Sequence, residues 1–519
     1  MKRNPLLLID FYKATHAEQY PAGMTKIYSP GTPRLSRLAD IEEITYFGGQ
    51  AYCKEYLIEM FNEYFFNRPL AEVVAEYNRI LIHTLGPGTY NSEKIERLHK
   101  LGYLPIAVYT IPEGLSTKIG VPQTIFVNTH PDFAWLTNTL ETCYSAYIWH
   151  IQIAAEVGKR YRKIVDRYVK QTCDEGTDPA RMLGDFSMRG QHCPESAITS
   201  SGAWLLSFLN TATVPAIMWL EDNYNCDCTK EPVGYGAISF EHSTVTSNYA
   251  IDGDEETLLK RALTEIYPNS NFSFLTDSYS HDNFMKNVIV NCKKEILSHN
   301  GRILFRGDSG DPVEIITSMV FRLWEIFGGT VNSKGYKVLD PHVRAIYGDS
   351  ITPQRCEKIY EILSDNGFSI ENVVLGVGSF SFMCLEEIIE TTEWVEDSHY
   401  AEGFNDPKDK FIKMGVRRIN YKPYTRDTFG YAIKATYGED KDGNPVMIQK
   451  APEAFAWKKS PKGCIIVAPD GQSYTDGHTF EEAHGEGVEN LLELVFKNGK
   501  MVKETSLQDI RKRMYPEVA

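Results

Sequence analysis

Six short apolar runs between residues 180 and 380 each end in a polar or glycine-rich cluster, and a helix-like segment follows each one. The run ends read MLGDFSMRG, GYGAISFEHS, NFSFLTDSYS, RILFRGDSGDP, VRAIYGDS and NVVLGVGS, about 30 to 55 residues apart. Repeated strand, loop and helix units produce this pattern, which predicts a parallel sheet or a (β/α) barrel. Functional groups in such folds gather at the carboxyl ends of the strands.

The segments on either side of this region have another pattern. Residues 1–175 mix strand-like pieces with helical ones, including a long helical stretch from Trp135 to about Gln171, and indicate an α+β region. The acidic stretch CLEEIIETTEWVED indicates a helix at the start of an insertion over 380–423. Beyond it, the sequence predicts strands with turns at Asp442–Gly443 and Asn498–Gly499, and then a terminal helix.

The charge balance limits the partners. With 69 acidic and 54 basic residues the formal charge is −15, so no global cationic field attracts nucleic acid or an anionic membrane. Ten cysteines among 519 residues are too sparse for a disulfide framework, and we expect reduced thiols. No apolar run reaches the roughly 18 residues of a membrane span, and the N-terminus lacks a signal-peptide core, which predicts a cytoplasmic location.

Two predicted strand ends carry groups suited to phosphate and sugar. In RGDSGDP, the Arg306 guanidinium can pair with phosphate or lie on a flat ring, and Asp308 can hold a ribose hydroxyl or Mg²⁺. In YGDS, Asp349 can bind a sugar diol or a metal, or simply cap a helix. The glycine pair of LGVGS, which ends at Gly378 and Ser379, can wrap a phosphate with backbone N–H groups, although a plain turn would look the same.

Two further predicted strand ends carry an aromatic side chain that can stack on a planar ligand and a histidine that can transfer a proton or a phosphoryl group. In DFSMRG, Phe186 can stack on a heterocycle while Arg189 binds an anion, with core packing of Phe186 as the alternative. In FEHS, His242 beside Glu241 suits proton or covalent phosphate transfer, and Asp277 of TDSY could orient its ring, although a lone histidine is usually structural. Together these groups suit a phosphorylated sugar and a planar base.

These same residues resemble those of the nicotinamide phosphoribosyltransferase family, the type II phosphoribosyltransferases of NAD salvage. The resemblance covers almost the whole chain outside the insertion. It is carried by stretches that occur in the family's order, namely DFYKATHAEQYP, LPIAVYTIPEG, WLTNTLET, GYGAISFEHST, DSYS, RGDSG, GDSITPQ, SIENVVLGVGS, TRDTFGYAIKATY and VFKNGK.

The resemblance implies a two-domain α/β fold. A (β/α) barrel-type catalytic domain would occupy 176–379, and an α+β, β-sandwich-like domain would be formed by 1–175 and 424–519. The 380–423 insertion would lie beside the phosphate loop. The implied reaction joins nicotinamide to 5-phosphoribosyl 1-pyrophosphate with Mg²⁺, giving nicotinamide mononucleotide and pyrophosphate.

The resemblance also implies roles for individual residues. Phe186 and Tyr12 of a second subunit would sandwich the pyridine ring beside Arg306, so the enzyme would be a homodimer with its sites at the subunit interface. Asp308 would hold the ribose, and Asp349 the ribose or, like Asp308, Mg²⁺. The 5′-phosphate side would be formed by Arg189, Gly378 and Ser379. The basic residues around the pyrophosphate and nucleotide phosphates would be Lys434, Arg426 and, from the second subunit, Arg34 and Lys450, and Gly348 and Asp10 would be further substrate-binding residues.

In this family ATP hydrolysis is coupled to transfer through a phosphorylated histidine, which matches His242, with Glu241 and Asp277 as its supports. ATP would therefore be a co-substrate. The chain departs from the family at two positions of the base pocket: Ala212 stands where an aspartate accepts a hydrogen bond from the carboxamide, and Gly236 replaces a serine. Loss of that acid leaves nicotinate or another planar base as an alternative substrate, and a non-catalytic binding relative as a further alternative.

Overall fold

The computed structural model describes residues 3–34, 41–391, 416–423, 431–450 and 459–516 of the chain, which divides into two units. The first comprises Met1–Glu156, Ile217–Val233 and Thr425–Ala519, and the second Val157–Ala216 and Gly234–Tyr424. The sequence-based bounds placed 217–233 in the barrel instead. That segment lies in the first unit because Trp219 Nε1 and Asn223 Nδ2 both donate to the Glu55 carboxylate, over 2.6 and 3.0 Å.

In chain order the strands are β1 (Lys26–Pro33), β2 (Glu43–Thr45), β3 (Ile106–Thr110), β4 (Ser116–Lys118), β5 (Thr124–Asn128), β6 (Leu183–Asp185), β7 (Asn210–Thr211), β8 (Ile238–Ser239), β9 (Phe272–Leu275), β10 (Ile303–Gly307), β11 (Gly329–Val331), β12 (Lys337–Leu339), β13 (Val343–Tyr347), β14 (Val373–Val377), β15 (Cys384–Thr391), β16 (Val416–Pro423), β17 (Tyr431–Ile433), β18 (Tyr437–Glu439), β19 (Pro445–Met447), β20 (Cys464–Val467), β21 (Tyr474–His478), β22 (Glu493–Lys497) and β23 (Lys500–Met501).

The α-helices are His16–Gln19, Gly49–Tyr52, Leu70–Leu85, Glu93–Leu101, Leu136–Thr139, Glu141–Thr172, Pro194–Trp204, Val214–Asn223, His242–Asp252, Glu255–Arg261, His281–Asn283, Ile289–Asn291, Lys293–Ser298, Pro312–Phe327, Pro353–Asp365, Phe380–Met383, Phe480–His484 and Leu507–Met514. Wider, π-type helical turns form Cys53–Met60, Asn62–Phe66, Ala262–Ile266 and Phe284–Val288. Among the residues that the structure describes, we find no helix long and apolar enough to cross a bilayer.

The first unit is built on an eight-stranded antiparallel sheet. Its order is β19-β18-β1-β5-β3-β22-β23, and β17 also pairs with β1. The amino-terminal segment supplies β1, β3 and β5, and the carboxyl-terminal segment supplies the other five strands, so both ends of the chain are needed to complete the sheet. Buried tyrosines dominate its core, among them Tyr28, Tyr46, Tyr52 and Tyr144. Aromatic side chains of this size remove a large apolar area from water and dominate the energetics of such a core.

The second unit is built on a parallel sheet of seven strands in the order β7-β6-β14-β13-β10-β9-β8. Runs such as VRAIY and VVLGV are apolar at almost every position, as expected for strands covered on both faces. The backbone of Asn210, in β7, bridges in parallel to Tyr235, three residues before β8. This bridge connects the two edges of the sheet, so the seven strands curl round on themselves.

The six predicted run ends all become strands of this sheet, and the strand pieces predicted at the amino terminus become β1, β2, β3 and β5. Two features differ from the prediction. The two-residue strand β7 was not predicted, because a polar NT pair has no strand pattern of its own. The acidic helix predicted in the insertion is wrong, since Cys384–Thr391 is strand β15, paired antiparallel with β16. The rest of that stretch, from Thr392, lies outside the described residues.

Candidate active site

The carboxyl ends of the seven parallel strands meet at one edge of the sheet, and most of the predicted site residues lie there. Most stand at the last position of a strand or in the loop after it, whereas Arg306 is the last but one residue of β10 and Gly236 lies two residues before β8. From β6 round to β14 they are Asp185, Phe186, Arg189, Ala212, Gly236, Glu241, His242, Asp277, Arg306, Asp308, Gly348, Asp349, Gly378 and Ser379.

Two glycines form a flat surface for the Phe186 ring. The backbone N–H of Phe186 donates to the Val377 carbonyl over 2.9 Å, which places the residue above the end of β14. Gly184 and Gly376 are paired in register on β6 and β14. A Cβ on Gly376 would lie 2.5 Å from the ring, and one on Gly184 would lie 3.3 Å from it. The ring therefore needs glycine at position 376, and it remains partly exposed for stacking.

Arg306 is held in place by two neighbours. Its NH1 donates to Ser239 Oγ over 2.8 Å, and its NH2 lies 3.6 Å from Asp308 Oδ2. Burial raises the pKa of the Asp308 carboxyl, and the Arg306 cation opposes that shift. The pair thus puts a cation and a carboxylate side by side in a partly buried position, which suits a ligand with both anionic and hydroxyl groups.

His242 is the first residue of helix His242–Asp252, and its two ring nitrogens have different surroundings. Nδ1 lies 3.1 Å from Ser278 Oγ, whereas Nε2 lies 3.8 Å from Asp308 Oδ2 and is beyond hydrogen-bond range of it. With 46 % of its side chain exposed, the ring is accessible. Because Nδ1 is engaged by Ser278, Nε2 is the nitrogen available for chemistry.

The two predicted supports of His242 have other contacts. Asp277 Oδ2 accepts the backbone N–H of Asp308 over 3.1 Å, so this carboxylate orders the loop after β10. Glu241 precedes the helix, where its N–H donates to Thr244 Oγ1 over 3.3 Å and its carboxylate accepts the Ser243 hydroxyl. Ser278, which the sequence did not single out, takes the place predicted for Asp277 beside Nδ1.

Two carboxylates pack directly on glycine backbone. A Cβ on Gly348 would overlap Asp308 Oδ1, and a Cβ on Gly378 would overlap Asp349 Oδ1. The charge of Asp349 also contributes to the raised pKa of Asp308, so the two carboxyl groups sense each other. Neighbouring carboxylate oxygens that approach from adjacent strand ends are ligands of the kind that Mg²⁺ prefers.

The turn after Phe186 meets the loop after β14. A Cβ on Gly190 would overlap Ser379 Oγ, so these two predicted phosphate-side segments are in contact, and Arg189 is exposed next to them. Ala212 and Gly236 are both exposed and follow the Asn210–Tyr235 bridge. The Ala212 N–H donates to the Asp185 carbonyl, and a Cβ on Gly236 would meet nothing within 4 Å. Neither position contributes a charged group to the site.

Asp10, Tyr12 and Lys434 belong to the first unit and lie in a polar cluster there. Asp10 accepts hydrogen bonds from the Tyr12 and Thr142 hydroxyls, over 3.1 and 2.6 Å, and 58 % of Tyr12 is exposed. Lys434 Nζ lies 3.9 Å from Glu141 Oε1, while the other oxygen of Glu141 binds Lys13 Nζ.

Two further predicted cationic residues are described in the same unit. Arg34 directly follows β1, and Lys450 follows β19 with its N–H bonded to Ser460 Oγ over 2.8 Å. Arg426 lies outside the described residues. Sequence reasoning missed Lys13 and Glu141, although both lie within the quoted stretches DFYKATH and WLTNTLET.

Two family models match the chain. The nicotinate phosphoribosyltransferase (NAPRTase) family matches residues 182–394, and the amino-terminal domain of nicotinamide phosphoribosyltransferase matches residues 4–67. Among curated proteins, a nicotinamide phosphoribosyltransferase of Acinetobacter baylyi is 34 % identical, over 98 % of this chain and 97 % of its own. Another, from Xanthomonas campestris pv. campestris, is 27 % identical with the same coverage.

Solved structures support the fold. Nicotinate-nucleotide pyrophosphorylase from Pyrococcus furiosus aligns with a TM-score of 0.56 and 13 % identity, over 99 % of this chain and 96 % of its own. Human nicotinic acid phosphoribosyltransferase aligns with a TM-score of 0.52 and 16 % identity, over 98 % of this chain and 93 % of its own. At these identities the likeness concerns architecture alone.

Proposed function

Since the chain belongs to the nicotinamide phosphoribosyltransferase family of NAD salvage, and is thus a phosphoribosyltransferase, we propose that it converts nicotinamide and 5-phosphoribosyl 1-pyrophosphate into nicotinamide mononucleotide and pyrophosphate. The observation that carries the proposal is the convergence of Phe186, Arg306, Asp308 and His242 at one edge of a single parallel sheet. A planar base, a ribose and several phosphates each find a suitable partner in that set.

In the proposed reaction the bond between ribose C1 and the pyrophosphate oxygen breaks, and a bond forms between C1 and the ring nitrogen of the base. The electron pair of the broken bond leaves with pyrophosphate. Phe186 holds the base flat, and Asp308 accepts hydrogen bonds from the ribose hydroxyls. The loop pair Gly190 and Ser379 lies where backbone N–H groups can hold the 5′-phosphate.

Mg²⁺ is the metal that we propose for this site, with Asp308 and Asp349 as its protein ligands. Both carboxylates approach the same loop edge on glycine backbone, and their hard oxygen atoms suit this ion. When bound, Mg²⁺ would neutralise charge on the pyrophosphate. Within the second unit, the exposed side chain of Arg189 is a cation that would bind the same charge.

We also propose ATP as a co-substrate that phosphorylates His242. In this step Nε2 attacks the γ-phosphorus, the bond to the bridging oxygen breaks, and ADP leaves with that electron pair. Ser278 supports the assignment, because a proton on Nδ1 shared with its hydroxyl leaves the lone pair on Nε2. Water then hydrolyses the phosphohistidine and releases inorganic phosphate.

A homodimer would complete the site. Tyr12 is more than half exposed beside the helix that begins at Glu141, and the Phe186 ring is partly exposed. If Tyr12 of a second subunit covers that ring, the base is stacked on both faces and water is excluded from the reacting carbon.

A second candidate keeps the reaction and replaces the base by nicotinate. Ala212 favours it, because no carboxylate stands at this position to repel an acidic substrate. Purified protein incubated with phosphoribosyl pyrophosphate, Mg²⁺ and ATP, with each base in a separate reaction, separates the candidates by the mass of the nucleotide product. Nicotinamide mononucleotide supports the first, nicotinate mononucleotide alone supports the second, and no product from either base would contradict both.

A further inference from the structure

Ser239 connects Arg306 to the neighbouring strand. Its hydroxyl lies at the end of β8, where it accepts a hydrogen bond from Arg306 NH1 over 2.8 Å and lies 2.8 Å from the Ser273 hydroxyl on β9. Ser273 is buried and therefore offers a fixed partner. Ser239 is thus the link through which the position of the guanidinium depends on the sheet.

Both terminal nitrogens of Arg306 have neighbours in this arrangement. NH1 is bonded to Ser239, and NH2 faces Asp308 Oδ2 at 3.6 Å. Only 17 % of the Arg306 side chain is exposed. An arginine recognises a carboxylate most strongly when two parallel N–H groups are available together. Here Ser239 holds one N–H of NH1 and the Asp308 carboxylate faces NH2, so a carboxylate ligand meets a fork that is already partly engaged and has a negative charge beside it.

We propose that Ser239 is a positioning residue that makes the site prefer a neutral planar amide over the corresponding carboxylate. The proposal deepens the function proposed above and rests on it. While Ser239 engages NH1 and Asp308 faces NH2, the guanidinium can lie beside the ring of a neutral base without losing a partner. A carboxylate base would share NH1 with Ser239 and would have to approach the Asp308 carboxylate, which repels it.

Position 212 does not provide a charge that would exclude an acidic base. An aspartate there would reject an acidic base by direct repulsion, but Ala212 carries no charge. Gly236 adds no side-chain donor or acceptor either. Among the residues described at the strand ends, Ser239 and Asp308 contact the Arg306 guanidinium. These two residues therefore control how an anionic base can approach it.

The test compares the nicotinate-to-nicotinamide ratio of kcat/KM in the unsubstituted protein, Ser239→Ala and Ser239→Thr. Ser239→Ala removes the hydroxyl that accepts a hydrogen bond from NH1, so this N–H becomes available to a carboxylate base. We therefore expect the nicotinate-to-nicotinamide ratio to rise about tenfold. The KM for phosphoribosyl pyrophosphate should stay within about twofold of its original value. Ser239→Thr retains a hydroxyl and should keep the original ratio. Ser318→Ala is the matched control, since the Ser318 hydroxyl donates to the Ile315 carbonyl of its own helix, away from the strand ends.

A structural role for Ser239 would lower turnover of both bases equally, so an unchanged ratio in Ser239→Ala overturns the proposal. A loss of selectivity in Ser239→Thr equal to that in Ser239→Ala also counts against it, as does a preference of the unsubstituted protein for nicotinate. Failure of the proposed function is distinct, because the unsubstituted protein would then form neither mononucleotide. That result would remove this inference as well.

Discussion

At the scale of single residues, the two ring nitrogens of His242 determine what the residue can do. Nε2 lies 3.8 Å from Asp308 Oδ2, whereas Nδ1 lies within hydrogen-bond distance of the Ser278 hydroxyl. We expect His242→Ala to abolish ATP hydrolysis and to leave slow, ATP-independent transfer. ADP and mononucleotide measured in parallel, with and without ATP, test this. His83→Ala, on an exposed helical face, is the control, and equal transfer with and without ATP in the unsubstituted protein would contradict the coupling.

The contact between Gly376 and Phe186 gives a second residue-scale prediction. A methyl group at position 376 would lie 2.5 Å from the ring and 2.7 Å from the Gly348 backbone, so the ring must move. Overpacking of this kind costs about 1 to 3 kcal/mol, and we expect Gly376→Ala to raise the KM for the base about tenfold. Steady-state kinetics provide the measurement. An unchanged KM would show that the ring does not bind the base.

A third residue-scale prediction concerns stability. Glu113 is 5 % exposed, and burial raises its pKa to about 7, although the Gln50 and Gly48 N–H groups partly oppose the shift. The folded state therefore binds this proton more tightly than the unfolded state. That contribution is complete below pH 4.5 and is lost as the pH rises to about 7.

Glu113→Gln removes this dependence. We compare the free energy of unfolding of the variant with that of the unsubstituted protein at each pH. We expect the difference to grow in favour of the variant by about 3 kcal/mol as the pH rises from 4.5 to 8. The difference between the two thermal midpoints should widen accordingly. Glu72→Gln, on an exposed helical face, makes the same charge change and serves as the control. A difference that is constant with pH would mean that folding does not raise the pKa of Glu113.

At the scale of elements, the helix Pro312–Phe327 depends on one capping side chain. Asp311 accepts the backbone N–H groups of Val313 and Glu314, over 2.9 and 3.1 Å, directly after the loop that carries Asp308. We expect Asp311→Ala to cost about 1 kcal/mol of unfolding free energy and Asp311→Asn much less, since asparagine also caps helices. Chemical denaturation measures both. Equal losses would assign the effect to charge instead of capping.

The insertion shows where local pattern fails at this scale. CLEEIIET has acidic residues typical of helices, yet it also holds Ile388, Ile389 and Thr391, whose β-branched side chains suit a strand. Pairing with β16 selects the strand. Helix propensity is only a few tenths of a kcal/mol per residue, so a partner strand distant in sequence outweighs it.

At the scale of the whole molecule, the proposed homodimer predicts complementation between variants. Tyr12→Ala and Arg306→Ala each remove one group from both sites of a homodimer. If Tyr12 acts in the partner's site, a mixed dimer regains one intact site, and random assembly restores about a quarter of full activity. Co-expressed variants with distinct affinity tags allow the mixed dimer to be isolated and assayed. If the isolated mixed dimer regains no activity, Tyr12 does not act in the partner's active site.

The sequence by itself determined most strands of the parallel sheet and the residue types at their ends. Each apolar run of the second unit became a strand, because five or so consecutive apolar residues between polar clusters must be buried on both faces of a sheet. Phe186, Arg306, Asp308 and Asp349 were predicted correctly as strand-end groups, because the carboxyl ends of parallel strands share one edge.

Only the tertiary structure decided which of these groups touch. Ser239 and Arg306 are 67 positions apart, and the parallel pairing of β8, β9 and β10 is what brings the hydroxyl to the guanidinium. The same pairing brings the Ser278 hydroxyl close to Nδ1 of His242. It also places the Asp277 carboxylate where it accepts the backbone N–H of Asp308. Neighbouring residues in a loop point in different directions, and backbone geometry, which local sequence does not specify, selects the one that makes the contact.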